Sequence, residues 1–147
     1  MPLTTDAEIR DLLMAARTIA MVGASPKPDR PSHGVMEKLQ QQGYRVIPVN
    51  ATIPGEHILG EYVFDRLSDI GVPIDIVDIF RNSEAAGESV DEAIAIGARA
   101  VWMQMGVINQ AAAARAEVAG LKVVMDRCPK AEIRRLGLPP VGAPQIT

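Results

Sequence analysis

The chain has 147 residues, 48% of them apolar and 22% charged, with a formal net charge of −3. That is the size and balance of a single globular domain; it lacks the basic field that nucleic-acid binding needs, and no apolar run reaches the length of a membrane span. A single cysteine rules out an internal disulfide, and no secretory signal is read at the N-terminus, so a reducing cytoplasm is the expected compartment.

The first element begins at Thr5-Asp6-Ala7-Glu8, a capping-box pattern. Ile9, Leu12, Leu13 and Ala16 follow at helical spacing, which predicts a helix over Asp6–Ala16. A short apolar strand, Ile19–Val22, breaks at Gly23 and enters a loop carrying Ser25, Lys27 and Arg30. Pro31 suits the first turn of a second helix, whose cap is either Arg30 or Ser32 and whose stop is Gly43. Tyr44–Val49 reads as the second strand. The stretch 50–73 is rich in Gly, Pro and acidic residues; it holds a short edge element near Ile58–Val63 and a turn at Asp65–Ile70. Ile74–Phe80 is the third strand, interrupted by Asp75 and Asp78. Ser83 caps a helix running to Ile96, and Ala100–Gln104 is the fourth strand. Asn109 caps a helix ending at Gly120, Val123–Met125 is the fifth strand, and Pro129–Leu136 is a last short helix stopped by Gly137. The tail from Leu138 is Pro-rich and expected to be loose.

Five strands alternating with helices argue for one α/β domain, a doubly wound, Rossmann-like parallel sheet covered on both faces. Right-handed crossovers make its simplest order 3-2-1-4-5. Ligands of such sheets sit outside the carboxyl ends of the strands, here at a switch between the first and fourth. The residues after each strand therefore gain interest: Gly23-Ala24-Ser25, Asn50, Arg81, Gln104 to Gly106, and Asp126 to Cys128. A strand that ends in glycine and feeds a helix start is suited to hold phosphate, because the backbone can come close and free N–H groups point outward.

The type of cradle is constrained by what is missing. A dinucleotide fingerprint needs G-x-G-x-x-G after the first strand, but no glycine follows Gly23 until Gly34. The acid that would hold a ribose after the second strand is replaced by Asn50. No Gly-Lys-Ser or Gly-Lys-Thr exists for a P-loop. The rim offers Ser25, Lys27, Arg30 and Arg81 with few carboxylates, which suits a ligand with more phosphate and fewer ribose contacts. Ser25 is not a nucleophile elbow, since Lys27 stands where glycine is required. Neither His33 nor His57 has a metal partner at ligand spacing, so neither a metal site nor a catalytic residue is expected. Asp75 and Asp78 suggest an edge or a capped loop more than an acid–base pair. The Met-rich fourth strand reads as core. Cys128, placed before Pro129, is either an inert buried thiol or a reactive one at a helix start.

Several blocks of the chain resemble a known family. VGAS at Val22–Ser25, RPS at Arg30–Ser32, GYRVIPVN at Gly43–Asn50 and VDIFR at Val77–Arg81 look like the stand-alone coenzyme A-binding proteins. VWMQMGV at Val101–Val107 and VVMDRC at Val123–Cys128 continue the match in the family's order, from about Asp6 to Leu136. One departure is Asn50-Ala51, where the family carries Asn-Pro. That family is similar in fold to the N-terminal domain of the succinyl-CoA synthetase alpha subunit. The resemblance implies coenzyme A, or an acyl-CoA, at the strand ends. Gly23, Ala24 and Ser25 would contact the pyrophosphate, flanked by Lys27, Arg30 and Ser32. Val49, Asn50, Phe80 and Arg81 would face the adenosine, with Arg81 a candidate for the 3′-phosphate. Gln104 and Gly106 would line the wall toward the pantetheine arm. The synthetase's catalytic histidine belongs to a second domain, so the resemblance implies binding without catalysis. Two rival readings are a nicotinamide-dependent enzyme or redox sensor, which the missing glycines and acid oppose, and a module that docks a partner protein.

Overall fold

A computed structural model describes residues 1–142. In chain order it holds α1 (Asp6–Ala15), β1 (Thr18–Val22), α2 (Pro31–Gln41), β2 (Arg45–Val49), β3 (His57–Ile58) and β4 (Glu61–Tyr62). A 3-10 turn at Leu67–Asp69 leads to β5 (Ile76–Ile79), α3 (Ser83–Ala95), β6 (Ala100–Met103), α4 (Gln110–Val118), β7 (Lys122–Val124) and α5 (Pro129–Leu136). β3 and β4 form a small antiparallel hairpin. The other five strands form one parallel sheet in the order β2-β1-β5-β6-β7.

The α/β class and the five parallel strands agree with the sequence reading; the strand order corrects it. Counted among the five main strands the order is 2-1-3-4-5, so the third strand lies beside the first on the far side from the second. Pro48 supplies the reason. It sits inside β2 with no N–H to give, and its carbonyl faces outward to accept from Phe64 N at 3.0 Å. A strand carrying proline belongs at a sheet edge. Beyond β2 there is only a single parallel bridge, Val49 to Phe64. The chain therefore crosses back, and β5 enters the middle of the sheet. This moves the switch point to between β1 and β5, the alternative doubly wound arrangement. It also places Asp78 in a central strand, between Met21 and Trp102, and not at an edge.

Side chains alternate between the two faces of the sheet, as the pleat requires. Ile19, Met21, Val46, Ile76, Trp102 and Val124 face α1, α2 and α5. Ala20, Val22, Ile47, Val77, Ile79, Val101, Met103 and Val123 face α3 and α4. The buried residues of α4 are Ala112, Ala113 and Ala116, small enough to let α4 lie close against α3, where Gly87 faces Asn109 and Arg115. Trp102, the only tryptophan, is fully buried and gives its Nε1–H to the Arg127 carbonyl at 2.8 Å.

Helix ends follow the sequence signals with one correction. Thr5 and Glu8 form the expected capping box, and Asn109 caps α4 through a bond from Ala112 N. The cap of α3 is Asn82, which accepts from Ala85 N at 2.8 Å, and not Ser83. Arg30 occupies the cap position of α2 without any side-chain capping bond. The tail is also tied down over Leu138–Gly142, in contrast to the loose segment expected. Gln42 Nε2 donates to the carbonyls of Leu138 and Pro139, Val141 N donates to Gln42 O, and Val141 is buried. The remainder of the expected loose tail, 143–147, lies outside the described residues.

Candidate functional site

The carboxyl ends of β1, β2 and β5 meet at Gly23. Its backbone is left-handed (φ 85°) and its N–H donates to Val49 O at 2.9 Å. A Cβ there would overlap the Phe80 carbonyl oxygen. Only glycine lets the three strand ends close this tightly.

The loop that follows is held by side chains, not by further glycines. Asn50 Nδ2 donates to Ala24 O at 2.8 Å, and Asn50 Oδ1 accepts from Thr52 N at 2.9 Å and Thr52 Oγ1 at 2.7 Å. Ser32 Oγ accepts from Ser25 N at 3.0 Å, and Ser25 Oγ accepts from Lys27 N at 3.1 Å. The result is an ordered loop poised over the N-terminus of α2. No side chain caps that terminus; Pro31 has no N–H and His33 N donates to Arg30 O at 3.1 Å, so the Ser32 N–H and the positive end of the helix dipole are what the first turn offers there.

Three clefts line this edge and share walls. A small one of about 300 Å³ lies among Gly23, Ser25, Arg30, Pro31, Ser32, Asn50 and Phe80. A second, of about 410 Å³, shares Gly23 and Asn50 with it and extends past Val49 to Arg81, Glu88 and Glu92. A third, of about 530 Å³, shares Pro31 and Phe80 with the first and reaches Gln104, Met105 and Cys128. Together they form one groove across the switch point between β1 and β5.

Most of the expected site residues thus come together. Gly23, Ser25, Arg30, Ser32, Val49, Asn50, Phe80, Arg81 and Gln104 all line this groove. Three do not. Ala24 is buried and reaches the site only through its carbonyl. Lys27 is exposed and lines none of the three clefts. Gly106 lies off the groove, its N–H donated to Asp126 Oδ1 at 2.7 Å.

The electrostatics correct one expectation, a rim with few carboxylates. Asp65, Glu88 and Glu92 all line the second cleft beside Arg66 and Arg81. Arg81 Nη1 donates to Glu88 Oε1 at 3.2 Å and Ser89 Oγ at 3.3 Å. Burial, and then the like charge of Glu88, raises the Glu92 carboxyl above its ordinary value. The signal for Glu88 and Glu92 was present in the sequence. They stand four residues apart in α3, on one helix face, just past the third strand. Asp126, one of the residues singled out for following a strand, adopts a left-handed backbone (φ 59°), which aspartate tolerates, and its Oδ1 accepts from the Gly106 N–H.

Gln104 and Asp78 carry unpaired buried oxygens. Gln104 is 7% exposed and its Oε1 has no hydrogen-bond partner. Asp78 is fully buried with both carboxyl oxygens unpartnered, and burial raises it well above its ordinary value of 3.8. Among the described residues no group of three or more His, Cys, Asp and Glu could hold a metal ion, and no helix is long and apolar enough to cross a membrane.

Comparison with known proteins bears on the family and the fold. Residues 17–134 match the family model described as a CoA binding domain. The chain is 40% identical over 124 residues to the Bacillus subtilis protein YneT, an alignment covering 84% of this chain and 90% of that one. A solved hypothetical protein from Pyrococcus horikoshii superposes with a TM-score of 0.88 at 39% identity, covering 94% of this chain and 97% of the other. A solved Thermus thermophilus protein gives a TM-score of 0.86 at 40% identity, covering 90% and 99%.

Proposed function

The chain belongs to the CoA-binding domain family, and we propose that it binds coenzyme A or an acyl-CoA in the groove, non-covalently and without catalysing a reaction. The observation that carries this reading is the continuity of three unlike clefts with the α2 N-terminus in the middle. Coenzyme A has the same sequence of parts: an adenosine with a 3′-phosphate, a pyrophosphate, and a long pantetheine arm.

The pyrophosphate sits at the small central cleft, against the open first turn of α2. Arg30 is free to fold over it, having no side-chain cap bond of its own. The adenosine lies toward Val49, Asn50 and Arg81. Asn50 cannot replace a ribose-binding acid, because both ends of its amide are already committed within the loop. Arg81 is 35% exposed and its partner Glu88 is 75% exposed. Such a pair contributes about 0.2–1 kcal/mol, whereas a charge-assisted phosphate contact contributes about 1.5–3 kcal/mol. The 3′-phosphate therefore takes Arg81 from Glu88. The pantetheine arm runs past Phe80 into the third cleft, where Gln104 Oε1 accepts an amide N–H.

A thermal-shift screen of coenzyme A, acetyl-CoA, NAD, NADP and ATP tests this. A ligand present at one hundred times its Kd adds about 2.7 kcal/mol to stability. Stabilisation by the CoA compounds and not by NAD supports the reading; equal shifts, or a shift with NAD alone, reject it.

A further inference from the structure

We propose that Cys128 is a thiol–disulfide exchange site at the far end of the groove, where this chain takes up coenzyme A as a mixed disulfide from CoA disulfide. The inference rests on the CoA reading above and extends it from binding to covalent capture.

Two independent observations point to a ligand beside this sulfur. Cys128 lines the third cleft together with Gln104, whose Oε1 is buried and unpartnered. A buried acceptor without a partner is unfavourable, and a ligand amide beside it supplies the missing donor. Cys128 also lines an adjoining cavity of about 820 Å³ with Leu3, Met105 and Met125. The residue therefore stands on the wall between the two, and it is only partly buried. A disulfide with one half in the groove can extend its other half outward past Cys128.

The local backbone fixes this position. Trp102 Nε1 holds the Arg127 carbonyl from below, and Asp126 Oδ1 holds the neighbouring Gly106 loop. Cys128 occupies the cap position of α5; its side chain makes no capping bond and packs, half-buried, at the margin of the core beneath α1 and α5. The reach also fits. Three inter-strand steps from β1 to β7 span about 14 Å, and a pantetheine arm extended by ordinary chain geometry reaches about 15 Å.

The step balances without a further oxidant. The Cys128 thiolate attacks the sulfur of the groove-bound half of CoA disulfide. A Cys128–CoA disulfide forms, the CoA–CoA disulfide breaks, and the other CoA leaves as thiolate, which takes up the proton Cys128 gave to solvent. The Cys128 sulfur is oxidised from thiolate to disulfide, the departing CoA sulfur is reduced from disulfide to thiolate, and the two changes cancel.

The test is intact-mass spectrometry of the native full chain with CoA disulfide, and with glutathione disulfide as a probe lacking the nucleotide. The chain has one cysteine, so any adduct is located at once. The expected result is one CoA adduct per chain, reversed by reductant, absent from Cys128→Ser, and formed at least about tenfold faster than the glutathione adduct because docking raises the local concentration. No adduct on the native chain, an equal adduct on Cys128→Ser, or a smaller rate advantage overturns the inference. Reduced CoA is titrated separately into Cys128→Ser. If it binds there and native protein forms no adduct, only the exchange site fails; if reduced CoA binds neither protein, the CoA reading itself fails.

Discussion

The Gly23 Cα and the Phe80 carbonyl are packed so closely that a single added Cβ would strike that oxygen. One residue thus joins the end of β1 to the end of β5, across the switch point where the groove lies. Gly23→Ala introduces both this overlap and a left-handed alanine (φ 85°). Left-handed strain costs about 1 kcal/mol and overpacking about 1–3 kcal/mol. The expected loss is about 2–4 kcal/mol in a urea denaturation, with CoA stabilisation abolished in whatever protein remains folded. A loss under about 1 kcal/mol with binding intact would show that the close approach is not needed.

Arg81 and Glu88 predict a paired effect. Arg81→Ala weakens coenzyme A by about tenfold, the lower end of a charge-assisted contact, and leaves dephospho-CoA nearly unchanged. Glu88→Gln tightens coenzyme A, because the guanidinium no longer has to leave a carboxylate. Calorimetry with the two ligands checks both. Equal losses for CoA and dephospho-CoA in Arg81→Ala would remove the 3′-phosphate from this arginine.

Asp78 predicts a pH dependence. Burial raises its folded-state pKa well above the ordinary 3.8, so the folded protein holds this proton more tightly than the unfolded chain does. Its contribution to stability is complete below the unfolded value and is lost as pH rises toward the folded one. Asp78→Asn removes that loss. Across this window the difference in unfolding free energy shifts toward the variant by about 1.4 kcal/mol per pH unit. Denaturant unfolding of both proteins from about pH 4 upward measures it. A difference that stays constant with pH would mean Asp78 is ionised in the folded state.

Local chemistry was the most legible part of the chain. The Thr5–Glu8 box, the Asn109 cap and the glycine stops each act within a few residues, so spacing alone reveals them. Gly23, Asn50 and Arg81 can be located from the sequence because they follow strands. The strand order was harder, since it depends on which edge stays open. Pro48 carries that information, because a residue with no N–H inside the second strand leaves that strand at the edge. Asp78 signals an edge or a capped loop in the sequence because a charged residue inside a strand usually seeks water; here burial raises its pKa well above the ordinary carboxylate value. The acidic wall of Glu88 and Glu92 comes from a helix interior, and reading residues only after each strand could not find it.

Isothermal titration of coenzyme A into the intact chain, beside an identical titration of NAD, tests the central claim most directly. The expected result is saturable binding of one coenzyme A per chain, weakened by Arg81→Ala, and no measurable heat from NAD. Absence of coenzyme A binding, or NAD binding of equal strength, would contradict it.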